Sequence, residues 1–263
     1  MGNRIDSTLA DVRAKGRTAL VPFVTVGFPD VETSVALAKA IVEAGGDMLE
    51  LGVPFSDPLA DGPTIQMTSG KALALGVNVK TCIEMVRRLR ADGVRAPLIL
   101  MGYYNPFMKY GVKRFVRDAT SAGADGIIVP DLPPEESGPF RELCERYGMY
   151  LVPLLAPTST DERIEQACKG VKGFIYCVSV TGVTGARAKL SAGVQDLVAR
   201  IHRYTDLPVL VGFGVSRREH VDAIGQYAQG AVVASALLDA VSKAPSERAA
   251  AVAREFVTSL RTS

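Results

Sequence analysis

Hydrophobic residues in this chain gather into short, nearly continuous runs instead of alternating cleanly with polar ones. Eight such runs, rich in β-branched residues and bounded by Gly, Pro or Asp, stand at 20–26 (LVPFVTV), 48–53 (MLELGV), 98–104 (LILMGYY), 126–131 (GIIVPD), 150–157 (YLVPLLAP), 174–180 (FIYCVSV), 209–215 (VLVGFGV) and 231–237 (AVVASAL). That pattern suits parallel strands covered on both faces. Between the runs lie helical patterns such as ETSVALAKAIVEAG, TCIEMVRRLRADG, VKRFVRDATSAG and AGVQDLVARIHRY, several closed by a glycine in the position that ends helices. Eight strand and helix alternations predict an α/β fold, a closed (β/α)8 TIM barrel, with a doubly wound open sheet as the alternative. Residues 1–16 precede the first run and are expected to form an extra N-terminal helix that closes the other end of the barrel. No Gly/Ser linker or compositional break interrupts the chain, so one barrel domain over 1–263 is expected.

The runs start 28, 50, 28, 24, 24, 35 and 22 residues apart. Most units are near the minimum for a strand, a helix and two turns, but the second and sixth carry a surplus. Loops after the strands form the working face of such barrels, so long βα loops 2 and 6 are where function is expected.

Composition narrows the partners. The 263 residues include 30 basic and 28 acidic side chains, a net charge of +2, with no long run of like charge, so the chain has no electrostatic footprint for nucleic acid or an anionic membrane. Cys82, Cys144, Cys168 and Cys177 lack C-x-x-C spacing and are expected to be reduced packing residues. The opening segment has no apolar signal core, and no apolar stretch approaches the ~20 residues that span a bilayer. A cytoplasmic address is expected. Asp6 occupies the place where a myristoylation motif on Gly2 would need Ser or Thr, which discounts that anchor.

The inventory then limits the chemistry. His202 and His220 are the only histidines, and both fall in helical patterns. They leave neither a Ser-His-Asp device nor enough ligands for a histidine-rich metal site, so no metal is expected. None of the ten lysines lies in a strand run, which disfavours a Schiff base. Glu50 stands out, because it sits inside MLELGV between Leu49 and Leu51, where an ionised side chain costs several kcal/mol unless partnered or protonated. Alternation points Glu50 into the barrel near its C-terminal rim. A carboxyl there is expected to titrate near neutral pH, unless nearby hydroxyls or water simply satisfy it.

The loop that follows, GVPFSDPLADGPTIQ, holds Asp57 and Asp61 between prolines 54, 58 and 63. It offers a second carboxylate opposite the first, an arrangement that delivers a proton at one atom and removes one at another. Gly212-x-Gly214, and Ala234-Ser235 at the end of the last run, resemble the phosphate cradles that follow strands seven and eight of such barrels, although Arg217 breaks the dinucleotide fingerprint. The segment VTGVTGARAKL, with Gly182 and Gly185, looks like a glycine-hinged lid.

Taken together, LELGVPFSDPLADGPTIQ (49–66), PFVTVGFPD (22–30), MGYYNP (101–106), DGIIVPDLPPEES (125–137), Y-x-x-S-x-T-G-V-T-G-x-R (176–187) and GFGVS (212–216) occur in the order found in tryptophan synthase alpha chains. The chain resembles that family from about residue 4 to 257. The resemblance implies retro-aldol cleavage of indole-3-glycerol phosphate to indole and glyceraldehyde 3-phosphate, with no cofactor in this chain. It implies Glu50 as the acid/base at indole C3 and the glycerol hydroxyl, and Asp61 as the carboxylate facing the indole N–H. By the same resemblance Phe23 walls the indole pocket, Tyr176 positions substrate near Glu50, and Thr184 bonds Asp61 on closure. Gly185, Gly212, Gly214, Ala234 and Ser235 surround the phosphate. Ala234 replaces the family's usual Gly, and its Cβ bears on phosphate affinity.

The resemblance further implies a pyridoxal-phosphate-containing beta chain in an α2β2 complex. Pro54, Asp57, Asn105, Pro106 and Pro133 look like the docking surface. A stand-alone indole-releasing lyase, a weakly catalytic subunit that activates the beta chain, and an unrelated phosphosugar isomerase are the competing readings. Intact Glu50 and Asp61 argue against the last two.

Overall fold

A computed structural model describes residues 2–178, 187–212 and 214–261, the side chains of 187–192 apart. Its strands form one all-parallel sheet in the order β5-β4-β3-β2-β1-β9-β8-β7-β6. They are β1 (Ala19–Thr25), β2 (Leu49–Gly52), β3 (Leu98–Met101), β4 (Gly126–Ile128), β5 (Tyr150–Val152), β6 (Leu154–Leu155), β7 (Ile175–Val178), β8 (Val209–Gly212) and β9 (Gly230–Val233). The expected barrel is present, and the open-sheet alternative is not.

Among the described residues there are nine strands where eight were expected, because Pro153 divides the fifth run in two. β5 pairs with β4 and β6 pairs with β7. Pro153 accepts from the Tyr176 N–H at 3.0 Å but has no N–H of its own to continue the ladder. The ring therefore closes through the chain itself.

Alternation sorts each strand's side chains into two cores. Ala19, Val21, Met48, Ile99, Ile128, Val152, Tyr176, Leu210 and Val232 pack together in the barrel interior. The other face of the strands packs against the surrounding helices, where α2 (Val31–Glu43), α4 (Val79–Ala91) and α6 (Val112–Ala122) turn apolar stripes inward. Local signals set these helices: Asp30 caps α2 by accepting from the Thr33 N–H, and Asn78 with Thr81 forms a capping box on α4. α1 (Arg4–Ala14) closes the N-terminal end as expected, seating Ile5, Leu9 and Val12 against the interior cluster. Asp125 fastens it there by accepting from Arg4 at 2.8 Å, from Arg90 at 2.5 Å and from the Leu98 N–H at 2.8 Å.

The surplus in the second unit is mostly an extra helix, α3 (Pro63–Ala74), not loop alone. Pro63 begins that helix, where a missing N–H costs nothing. α5 (Tyr104–Tyr110) likewise follows β3 almost at once, so Tyr103 and Tyr104 lie beyond the strand to which their run had assigned them. All four cysteines are free and buried. Among the described residues no helix is long and apolar enough to cross a membrane, and no group of three or more His, Cys, Asp or Glu side chains is gathered as a metal would need.

Candidate active site

Glu50 lies on the interior face of β2, in register with Phe23 of β1 and Ile99 of β3. It is 1% exposed, and neither carboxylate oxygen meets a hydrogen-bond partner among the described residues. Among the described residues no neighbouring hydroxyl satisfies it. Burial pushes its pKa up to about 8, and the nearby Asp61 charge adds to the rise. An unpaired carboxyl in this position is far cheaper to keep protonated than ionised.

Asp61 enters from the loop between β2 and α3. Burial raises its pKa to about 6, while a hydrogen bond from the Tyr103 hydroxyl works the other way. Tyr103, buried at the end of β3, also accepts the Ala60 N–H at 2.9 Å and stacks at a tilt on Phe55, with ring centroids 5.3 Å apart. It thus holds the loop at two points ahead of the carboxylate, Phe55 and Ala60. The sequence reading missed this residue, having counted it within a strand run. Asp57, the other loop aspartate, is exposed, its carboxylate accepting from the Ser56 hydroxyl and its carbonyl from the Leu59 N–H.

Two glycines make room for the aromatic residues around Glu50. A Cβ at Gly52 would collide with the Phe23 ring, and one at Gly212 would stand 2.5 Å from the Tyr176 hydroxyl. Gly212 therefore serves Tyr176. Burial, and then the charges of Glu50 and Asp61, hold the Tyr176 phenol neutral by raising its pKa well above the usual tyrosine value.

At the adjacent edge of the rim Gly214 adopts a left-handed φ of +52°, a conformation suited to glycine. Ser235 opens α11 (Ser235–Ser242), and Ala234 precedes it with φ −122°. A negative φ there accommodates the Cβ that replaces the family glycine. Thr184 and Gly185 lie outside the described residues. Pro54 is buried within the chain, Pro106 and Pro133 are half-buried, and Asp57 and Asn105 are exposed. All five follow the C-terminal ends of β2, β3 and β4, the same end of the barrel as Glu50.

Residues 9–262 match the tryptophan synthase alpha chain family. The chain belongs to the tryptophan synthase alpha chain family. It is 51% identical to the tryptophan synthase alpha chain of Roseiflexus sp. (strain RS-1), with 98% of this chain and 99% of the relative covered. The tryptophan synthase subunit alpha of Legionella pneumophila str. Paris superimposes with a TM-score of 0.91 at 35% identity, covering 99% of this chain and 97% of that one. A longer tryptophan synthase from Saccharomyces cerevisiae matches 98% of this chain at 43% identity with only 36% of its own length. The alpha-chain role, that of a lyase in tryptophan biosynthesis, comes with this membership.

Proposed function

We propose that this chain cleaves indole-3-glycerol phosphate to indole and glyceraldehyde 3-phosphate, with Glu50 and Asp61 as its two working carboxylates. The observation that carries the assignment is the split between them: a carboxyl with no hydrogen-bond partner among the described residues, held protonated near neutrality, beside one that ionises about two pH units lower. Environments that push two acids apart in this way assign the acid and the base.

In this reading protonated Glu50 delivers its proton to indole C3. The positive charge that develops spreads to the ring N–H, which donates a hydrogen bond to ionised Asp61. The bond between C3 and the glycerol carbon then breaks, its electrons returning to the indole ring. The carbinol hydroxyl becomes the aldehyde carbonyl and gives its proton to the Glu50 carboxylate, which restores the starting state. Protons balance within the site, and protonated indole serves as the electron sink. Phe23 forms a wall of the indole pocket and Tyr176 positions the substrate beside Glu50. Gly214 and the amides of Ala234 and Ser235, at the N-terminus of α11, receive the phosphate, and Thr184 and Gly185 complete the closed site. The chemistry asks for no cofactor in this chain. Its partner is a beta chain holding pyridoxal phosphate in an α2β2 complex, docked at the barrel end that carries Pro54, Asp57, Asn105, Pro106 and Pro133.

Indole release from indole-3-glycerol phosphate by the purified chain, with and without a beta chain, tests this reading. Turnover that rises with the partner is expected, with a bell-shaped pH dependence flanked near 6 and 8. Rapid turnover unaffected by the partner would make the chain a stand-alone lyase. No turnover under either condition would leave it an activating subunit only.

A further inference from the structure

Two helix N-termini flank the site, and neither has a side-chain cap among the described residues. One is that of α3, which begins two residues after Asp61, and the other is that of α11, which begins at Ser235. The two helices are joined directly, from the first turn of α3 to the second turn of α11. The Thr64 hydroxyl, in the first turn of α3, donates to Asp239 of α11 at 2.8 Å across 175 residues of sequence.

A second contact defines what that bond controls. Thr68, one turn further along the same face of α3, shares a 2.7 Å hydroxyl hydrogen bond with Thr25 at the end of β1, and both residues are fully buried. This pins the body of α3 to the barrel. The direction of its first turn, and with it the segment that carries Asp61, is then set by the Thr64–Asp239 bond. That segment is further tied to the helix where the Gln66 side chain donates to the Asp61 carbonyl at 2.8 Å.

We infer that Thr64 and Asp239 are positioning residues that couple occupancy of the anion site at the N-terminus of α11 to the placement of Asp61. An anion at that N-terminus fixes α11, α11 fixes Thr64 through Asp239, and Thr64 fixes the approach of Asp61. This rests on the proposed assignment of Asp61 and of the phosphate site. Such coupling is reciprocal in binding free energy: whatever phosphate does to Asp61, Asp61 does to phosphate.

The full-length chain with glycerol 3-phosphate as probe tests the coupling without relying on turnover. In the unmodified chain D61N is expected to change the Kd for glycerol 3-phosphate by several-fold, and in a T64V background that change is expected to vanish. T64V alone is expected to lower kcat about tenfold with KM and Tm nearly unchanged, and T64S, which keeps the hydroxyl, to restore kcat. D239N, which keeps an acceptor, is expected to fall between. A D61N effect on Kd that persists in T64V, or losses in T64V that follow Tm and KM together and are not rescued by T64S, would overturn the coupling. Those results with normal turnover in the unmodified chain would leave the lyase reading standing. No turnover and no probe binding in the unmodified chain would remove both.

Discussion

The two ends of the barrel each bury a carboxylate, and they treat it in opposite ways. Asp125, at the N-terminal end, is 3% exposed and is met by two guanidinium groups and a backbone N–H. Glu50, at the C-terminal end, is 1% exposed and is met by no donor among the described residues. Burial alone thus says little about purpose. A buried acid with its donors in place ties elements together, here α1, α4 and β3. One left without them stores a proton that the surrounding fold makes costly to release. The division follows the general asymmetry of such barrels, in which one end serves stability and the other chemistry.

The strongest way to break this comparison is to neutralise Glu50. E50Q is expected to lower kcat by at least about a thousandfold while raising stability in alkaline solution. The sign follows from the raised pKa. Between pH 4.5 and 8 the folded state holds a proton that the unfolded state has released, so stability falls as pH rises through that window and the penalty is complete above about 8. Removing the titration should recover on the order of 2–4 kcal/mol at pH 8 and nothing at pH 4. Urea unfolding at the two pH values measures it. Equal stability of the two proteins at pH 8 would mean that Glu50 is not held protonated.

The converse change comes next in size. D125A leaves Arg90, itself largely buried, without its carboxylate, and is expected to cost about 3 kcal/mol. The kcat of the folded fraction should stay within about twofold, since α1 and the base of β4 are far from the reacting atoms in the fold. Denaturant midpoint and kcat measured on one preparation separate the two effects. A large loss of kcat at full folding would erase the distinction between the ends.

What the sequence made legible was whatever needs only local information. An acid inside an apolar run marks Glu50 without any knowledge of its neighbours, and strand runs apolar on both faces mark a parallel sheet. Pro153 was visible, but the division of β5 from β6 depends on which neighbour each half pairs with, which no single run encodes. The start of helix α3 reads as loop in the sequence because its exposed face, built from small and polar residues such as Gln66, Gly70 and Lys71, carries little periodic signal. The Gly62-Pro63 step was the available cue. Tyr103 was hidden for another reason: its meaning lies in Asp61 and Ala60, more than forty residues earlier. Thr64 and Asp239 are farther apart still.

The smallest expected effect sharpens the comparison most, because it asks how the working end manages its second carboxylate. Asp61 is also desolvated, but among the described residues the Tyr103 hydroxyl donates to it, and that bond holds its pKa below what burial alone would impose. Y103F keeps the ring against Phe55 and removes the donor, so the Asp61 pKa should rise above about 6 and approach that of Glu50. The acid flank of the pH–rate profile then moves toward neutrality while the alkaline flank, set by Glu50, stays near 8. At pH 7 kcat/KM should fall by about threefold to tenfold, in keeping with one hydrogen bond to a charged group, and the deficit should shrink as pH rises toward 8. A uniform loss at every pH would mean that Tyr103 only shapes the loop. An unmoved acid flank with full activity would mean that a single donor is not what separates Asp61 from Glu50.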